Sequence, residues 1–391
     1  MTFLKPFVSS AQIRRAGAAT LLIAILSGCS AVSSITSMFS GPTKPQPAAL
    51  PAVSNAVAAK QAWSSRIGAV NFPLDIRVYG STVFVASSDG SVAAIDARTG
   101  GDIWRATVGS AIAAGVGSDG KVAAVVTQSN DVVALQDGRE LWRQKLSAQA
   151  YTAPFVAGGR VFVLAADRSV NAFDGQTGRK LWTQRRPNEP LVLRQSGVML
   201  AVGDTLVVGL AGRLAGINPS NGSVRWEAPI ASPRGINDVE RLVDLVGRVS
   251  RDGDIVCARA FQASVGCVNT VRGNLLWTKA ANGSQGIDGD DRFLFGTESD
   301  GVVIAWRRTD GERVWTTEAL RYRQLTAPLV VGRSIAIGDY AGVVHLLSRE
   351  DGSVFNRLTT DGTAIAAAPA LAGNTLIAVT RNGGIFGFVP E

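Results

Sequence analysis

Residues 95–104 read Ile-Asp-Ala-Arg-Thr-Gly-Gly-Asp-Ile-Trp, and this turn followed by a tryptophan returns along the chain. Variants of it stand at 173–182, 217–226 and 308–315. The glycine supplies the positive φ that a tight turn needs, and the Asp or Asn side chain can bond back to the turn backbone. Apolar, β-branched runs on either side are typical of strands. Each copy therefore predicts a tight turn between two strands.

Aromatic residues recur in phase with this turn, at intervals of 41, 38, 40, 44, 51, 38 and 40 residues. The series is Trp63, Trp104, Trp142, Trp182, Trp226, Trp277, Trp315 and then Phe355. A period of about 40 residues with glycine-rich turns indicates β-propeller blades of four strands each. We expect the tryptophans to pack between neighbouring blades as structural residues.

The two ends of the repeat region complete each other. Trp63 lacks the strands that should precede it, whereas strands predicted at 366–372, 375–380 and 384–389 have no tryptophan strand after them. We therefore predict an all-β protein, an eight-bladed β-propeller over residues 56–391. Its ring closes by pairing the N-terminal strand with the C-terminal blade, which removes exposed strand edges. A seven-bladed ring with Trp63 in an extra strand is the alternative.

The N-terminus has the pattern of an export signal. An apolar run at 16–26 follows three basic residues, Lys5, Arg14 and Arg15. The run is too short for a membrane-spanning helix, which needs about 20 residues, and fits a signal peptide instead. The following Leu-Ser-Gly-Cys at 26–29 resembles the lipobox of bacterial lipoproteins. That resemblance implies that residues 1–28 are a cleaved signal peptide and that Cys29 is lipidated. An ordinary signal peptide with an incidental cysteine is the alternative.

Residues 29–55 follow as a predicted tether. They are rich in Ser, Ala, Pro and Thr and carry a single charge, at Lys44, so they have too little to bury for a core. Ser30, rather than Asp, follows the lipobox cysteine. By the lipoprotein resemblance, this residue favours the outer membrane, and several acyl chains together make a stable anchor.

The charge and the histidine content limit the classes of function that the sequence allows. The net charge of +8 falls to about +5 without the three basic residues before Cys29, and no basic block suggests a nucleic-acid partner. The single histidine, His345, lies in an apolar strand pattern without a second ligand at metal spacing. Neither a nucleophile elbow nor a phosphate loop occurs. We expect no catalytic residues, no metal and no cofactor.

Two cysteines remain in the body of the chain. Cys257 and Cys267 flank Gln262, where a hairpin turn would place them opposite each other on adjacent strands. An oxidising periplasm would allow a disulfide between them. Two unbonded core thiols are the alternative.

The 95–104 motif resembles the pyrroloquinoline-quinone-type repeat, which quinoprotein dehydrogenases share with the BamB family of outer-membrane protein assembly factors. Along its mature length the chain resembles the BamB family, most specifically at 240–244, 322–328 and 337–345. The resemblance implies a non-enzymatic subunit of the BAM complex at the periplasmic face of the outer membrane. Its implied partners are the central barrel subunit BamA and unfolded outer-membrane protein precursors.

Two irregular stretches, 185–194 and 229–247, are candidates for partner binding, because long loops on a rigid scaffold often carry it. The Leu-x-Leu-Arg and Arg-Leu-x-Asp motifs in them match BamB loops that contact BamA. By that resemblance the docking residues are Leu191, Leu193, Arg194, Arg241, Leu242 and Asp244. The family often has a second acidic residue where this chain has Val246. Leucines that simply cover the blade edges are the alternative.

Two other function classes remain as alternatives. One is a quinone- or calcium-dependent propeller enzyme, although quinoprotein dehydrogenases typically have adjacent cysteines and the two body cysteines here are ten residues apart. The other is a periplasmic ligand-binding propeller that has no assembly partner.

Overall fold

The computed structural model of the protein describes residues 45–53, 57–185, 192–232 and 242–391. These ranges contain strands, turns and irregular segments, and they include no helix that could span a membrane. The predicted signal peptide and Cys29 lie outside the described residues. From Pro47 to Glu391 the chain forms one compact unit.

The described strands are short and follow one another in chain order. They are β1 (Ala59–Arg66), β2 (Arg77–Tyr79), β3 (Thr82–Ala86), β4 (Ser91–Asp96), β5 (Asp102–Thr107), β6 (Ile112–Ser118), β7 (Ala123–Thr127), β8 (Asp131–Gln136), β9 (Arg139–Lys145), β10 (Phe155–Ala157), β11 (Arg160–Leu164), β12 (Val170–Asp174), β13 (Lys180–Gln184), β14 (Met199–Val202), β15 (Thr205–Leu210), β16 (Arg213–Ile217), β17 (Val224–Pro229), β18 (Leu245–Asp252), β19 (Ile255–Ala260), β20 (Ser264–Asn269), β21 (Asn274–Ala280), β22 (Ile287–Gly289), β23 (Phe293–Thr297), β24 (Val303–Arg307), β25 (Arg313–Thr317), β26 (Leu329–Val331), β27 (Ser334–Gly338), β28 (Val343–Ser348), β29 (Val354–Thr359), β30 (Ala370–Ala372), β31 (Thr375–Val379) and β32 (Gly384–Pro390).

These strands form eight antiparallel sheets of four strands, which are the blades. Blade 1 has the order β2-β3-β4-β5, and each of the next six blades repeats this consecutive order. The eighth has the order β1-β32-β31-β30, with Trp63 opposite Gly387. The first strands of most neighbouring blades contact one another, as β2 does with β6 and β30. The eight-bladed ring and its closure by the N-terminal strand are therefore confirmed.

The two middle strands of a blade are buried on both faces. In blade 1, β3 and β4 hold Val83–Ala86 and Val92–Ile95, all of them at most 3% exposed. The outer strand β5 instead alternates between exposed and half-buried residues. A strand that sits between two neighbouring blades has no solvent face, and this explains why the middle strands read as continuous apolar runs.

The repeated tryptophans join each blade to the next. Five of them donate an indole hydrogen bond of 2.8 or 2.9 Å to the carbonyl at the same turn position in the following blade. The pairs are Trp63–Ala97, Trp142–Gly175, Trp182–Pro219, Trp277–Arg308 and Trp315–Arg349. The interpretation of the repeat-phased tryptophans as structural residues at the blade interfaces is confirmed for these five.

The turn glycine of the motif faces the same indole ring. Gly100 has a φ of +74°, and a Cβ atom at that position would lie 2.4 Å from the ring of Trp63. Gly178 has the same relationship to Trp142, at 2.6 Å. Glycine is therefore required twice over, by the backbone conformation and by the ring packed against it. The turn glycine and the tryptophan, the two most regular features of the repeat, are therefore in contact across the blade interface.

A described part of the predicted tether lies along blade 7. The amide of Ala48 donates to the carbonyl of Arg321 at 2.9 Å, and the Arg323 guanidinium donates back to the carbonyl of Ala48 at 3.4 Å. Val53 packs against the apolar cluster that contains Leu320 and Leu325. The chain thus contacts the propeller before its first strand begins.

Candidate functional site

The two irregular stretches are the connections that enter blades 4 and 5. The first joins the end of β13 at Gln184 to Met199 in β14, and the second joins the end of β17 at Pro229 to Leu245 in β18. Of the six predicted docking residues, Leu191 and Arg241 lie outside the described residues. The other four are Leu193, Arg194, Leu242 and Asp244.

Asp244 brings these two connections together. Its Oδ1 atom accepts a hydrogen bond from Nη1 of Arg168 at 2.6 Å, and its Oδ2 atom accepts one from the backbone amide of Leu193 at 2.8 Å. Arg168 lies in the turn between β11 and β12 of blade 3. One carboxylate therefore fixes the entry to blade 5 against the entry to blade 4 and against blade 3.

Arg168 is a residue of this site that the sequence reasoning missed. It has a φ of +59°, in a turn position that Gly90 occupies in blade 1 with a φ of +97°. A left-handed backbone costs a residue with a side chain about 1–2 kcal/mol. Its side chain is nonetheless only 7% exposed and is ion-paired with Asp244. An arginine in a turn position that favours glycine was the signal in the sequence, and it becomes visible only when the blades are aligned on the repeat.

The remaining described docking residues are accessible. Leu193 and Leu242 are half-buried, and Arg194 is exposed with its guanidinium 5.9 Å from the ring centre of Tyr151. A cavity of about 40 Å³ lies beside Leu193, lined in part by Tyr151 and Asp244. Accessible leucines beside an exposed arginine give an apolar anchor with a charged rim, a combination typical of protein interfaces.

Comparisons with known proteins agree with this architecture. A family model described as "Outer membrane protein assembly factor BamB" matches residues 48–317. A protein of that name from Burkholderia pseudomallei is 38% identical over 336 residues, covering 85% of this chain and 88% of the relative. The one from Bordetella pertussis is 34% identical and covers 92% and 93%. The chain belongs to the BamB family.

Solved structures show the same fold. The crystal structure of BamB from Moraxella catarrhalis matches with a TM-score of 0.78 at 24% identity, covering 85% of this chain and 99% of that one. The quinohemoprotein alcohol dehydrogenase from Comamonas testosteroni matches with a TM-score of 0.67 at 13% identity, covering 86% and 77%. At these identities both likenesses concern the fold alone, so the dehydrogenase likeness carries no argument for quinone chemistry.

Val246 stands where the family resemblance leads us to expect a second acidic residue, and this position is internal in this chain. Val246 lies in β18 and is 2% exposed. Its side chain is therefore packed inside the propeller and leaves no carboxylate at the surface there.

His345 lies inside blade 7. It is fully buried in β28, and its Nε2 atom is 3.0 Å from Oδ2 of Asp339, which also accepts a 2.7 Å hydrogen bond from Nε of Arg323. Burial lowers the pKa of His345, and the hydrogen bond with Asp339 opposes that shift. The described residues include no cluster of three or more His, Cys, Asp or Glu that could hold a metal. His345 thus belongs to a buried polar network.

The two body cysteines face each other in blade 5. Cys257 in β19 pairs directly with Cys267 in β20, with a Cα–Cα distance of 4.0 Å, and their sulfur atoms are bonded. The hairpin between the two strands turns at Gln262, which has a φ of +48°. Both cysteines are completely buried.

Proposed function

We propose that this BamB-family chain is a non-enzymatic scaffold subunit of the machinery that inserts β-barrel proteins into the outer membrane. Its relatives are named outer membrane protein assembly factors. In this proposal Cys29 carries the lipid anchor, and the propeller stands on the periplasmic face of the membrane. The chain docks BamA and, within the BAM complex, assists the insertion of unfolded outer-membrane protein precursors.

The docking surface consists of the connections into blades 4 and 5, with Leu191, Leu193, Arg194, Arg241 and Leu242 as contact residues. The observation that carries this proposal is the bonding of Asp244, which ties both connections together through Arg168 and the Leu193 amide. With its side chain 14% exposed and both oxygens bonded, Asp244 positions the described contact residues Leu193, Arg194 and Leu242. A preformed surface of this kind loses little conformational entropy on binding.

A scaffold role also agrees with the chemistry of the described residues. The one histidine is buried and bonded to Asp339. The aspartates of the repeat turns accept hydrogen bonds from their own turns, as Asp174 does from the amides of Gln176 and Thr177. Carboxylates that are bonded in this way stabilise the turns.

A pull-down of the tagged protein from detergent-solubilised outer membranes tests the proposal. The wild type is compared with a double variant carrying Leu193→Ala and Arg194→Ala. The matched control carries Leu141→Ala and Arg139→Ala, which remove the same two residue types at exposed positions of the outer strand of blade 2. Circular dichroism first establishes that all three proteins are folded.

We expect BamA to co-purify with the wild type and the control, and to be lost or strongly reduced with the docking variant. A wild type that brings down no BamA would overturn the adaptor function. Equal recovery with both variants would reject the surface and leave the function standing. An absorbance spectrum of the purified exported protein tests the enzyme alternative, since a bound quinone would absorb in the near ultraviolet or visible range.

A further inference from the structure

The propeller contains a second concave site, which shares Arg194 with the proposed docking surface. A cavity of about 750 Å³ is lined by the innermost strands and the segments that lead into them. Its walls include residues 71–78 of blade 1 and residues 247–249 and Arg251 of blade 5, and these two blades stand opposite each other in a ring of eight. The cavity therefore lies on the propeller axis. Its size is within the range of about 300–1,000 Å³ that is typical of ligand pockets.

The lining of this axial cavity is strongly basic. The described residues that line it include five arginines and a single acidic residue, Asp75. The arginines are Arg77, Arg194, Arg248, Arg251 and Arg381. Such an excess of positive charge between low-dielectric walls focuses a field that attracts anions.

Several of these guanidinium groups keep donors for a ligand. Arg77 donates through Nε to the carbonyl of Ser118 at 3.0 Å, and its two terminal nitrogens have no hydrogen-bond partner among the described residues. Arg381 makes one long contact, 3.4 Å, with the carbonyl of Val70. Arg248 is instead engaged with Asp288 and with the carbonyl of Pro369, each at 3.3 Å. Arg77 and Arg381 thus have donors to offer, and so does Arg194, whose guanidinium lies 5.9 Å from the ring centre of Tyr151.

The wall of blade 8 leaves room for a ligand. It presents three consecutive alanines, at 366–368, to the cavity. Short side chains on this wall keep the cavity open in front of the arginines. The terminal nitrogens of a guanidinium form a fork that matches carboxylate and phosphate oxygens.

Asp75 is the one acidic residue among the described residues that line the cavity, and its carboxylate repels an anion. Its side chain is open to the cavity, yet the surrounding walls desolvate it and raise its pKa, against the lowering effect of Arg77 and Arg248. In its ionised form this carboxylate offsets part of the field of the arginines. Removal of this charge should therefore strengthen the attraction for an anion.

We propose that the axial cavity is a binding site for a small multivalent oxyanion, with Arg77 and Arg381 as its principal donors and Asp75 as the residue that limits its affinity. Carboxylates and phosphates share the required chemistry. The cavity shares Arg194 with the proposed docking surface, but it is tested through Arg77 and Asp75, which lie outside that surface, so its failure and that of the proposed scaffold function are separate results.

Isothermal titration calorimetry of the purified mature chain tests the site, with citrate and pyrophosphate as probes at constant ionic strength. Constant ionic strength matters because added salt alone screens surface charge. The variants are Arg77→Gln and Asp75→Asn. The matched control is Arg98→Gln, which removes an arginine that is 76% exposed in the turn after β4, outside the cavity.

We expect saturable binding of at least one probe, weakened about tenfold by Arg77→Gln and unchanged by Arg98→Gln, because charge-assisted hydrogen bonds carry that much affinity. Asp75→Asn should bind the probe more tightly than the wild type. Binding of citrate alone assigns a carboxylate ligand, and binding of pyrophosphate alone assigns a phosphate. The proposal is overturned if neither probe saturates, if Arg77→Gln and Arg98→Gln behave alike, or if Asp75→Asn weakens binding.

Discussion

Arg168 in blade 3 and Asp244 at the entry to blade 5 are 76 residues apart in the chain and form an ion pair of 2.6 Å. Their side chains are 7% and 14% exposed. Blade 4 lies between the two in chain order, so the pair reaches past a whole blade. The ion pair and the Leu193 amide together tie the described ends of the two connections to each other.

Replacing Arg168 by glycine should destabilise the propeller although it relieves an unfavourable backbone conformation. Breaking a buried ion pair costs about 3–5 kcal/mol, and relief of the left-handed backbone returns about 1–2 kcal/mol. We expect a net loss of about 1–4 kcal/mol in the free energy of unfolding, measured by urea denaturation. The control is Asn130→Gly, at a blade 2 turn residue with a φ of +64°. That change should be neutral or slightly stabilising, and equal effects of the two would disprove a role for the Arg168 side chain.

The indole hydrogen bonds predict that two tryptophans of the same series contribute differently to the stability of the propeller. Trp142 donates to the carbonyl of Gly175 at 2.9 Å, whereas the indole nitrogen of Trp104 has no such partner among the described residues. Trp142→Phe should therefore cost about 1 kcal/mol more than Trp104→Phe through the lost hydrogen bond, and the fuller burial of Trp142 adds to this difference. Thermal unfolding of the two variants measures this difference. A larger loss for Trp104→Phe would contradict the assignment of these bonds to the blade interface.

The network of Asp339, His345 and Arg323 makes the propeller sensitive to acid. Burial holds the pKa of His345 below its ordinary value of 6.5, so the folded state resists a proton that the unfolded state accepts. Burial alone would raise the pKa of Asp339, but hydrogen bonds from His345, the Val343 amide and Arg323 outweigh it and hold the pKa below 3.8. Both groups therefore favour the folded state at higher pH. Stability falls below pH 6.5 through His345, and falls again below pH 3.8 through Asp339.

This acid effect is testable because His345 is the only histidine of the chain. Urea midpoints of the wild type and of His345→Gln should converge as the pH is lowered from 8 to 5, since the variant has no imidazole to protonate. Parallel curves over this range would show that His345 is not the source of the pH dependence.

Because the disulfide forms in an oxidising compartment, the number of free thiols should depend on where the protein is produced. Protein recovered from the periplasm, carrying Cys29→Ser to remove the third thiol, should show no free thiol after denaturation, whereas protein made in a reducing cytosol should show two. The Cys257→Ala, Cys267→Ala variant should lose about 2–3 kcal/mol, as expected for a short cross-linked loop. Thiol titration in denaturant and urea unfolding measure the two effects. Two free thiols in the periplasmic protein would disprove the bond.

Most of the fold could be predicted because the repeat is local. The glycine turn and the following tryptophan lie within ten residues of each other, and eight phased aromatic positions fix the number of blades. The closing strand was predictable from the same count, since Trp63 had no blade of its own and the last blade had no tryptophan strand. The described part of the tether is different. Nothing in the composition of Ala48–Val53 indicated its contacts with blade 7, because they depend on backbone groups of Arg321 and other distant residues.

The sequence by itself determined the blade number, the closure of the ring and the turns, because hydrophobic phase and glycine positions act over short stretches of chain. It also marked both irregular connections by their excess length. Only the tertiary structure decided that Asp244 is bonded internally, that Arg168 is its partner, and that five arginines from blades 1, 5 and 8 and from the entry to blade 4 line the axial cavity. These relationships join residues far apart in the chain. The folded ring sets the distances between them, and no local pattern of residues encodes those distances.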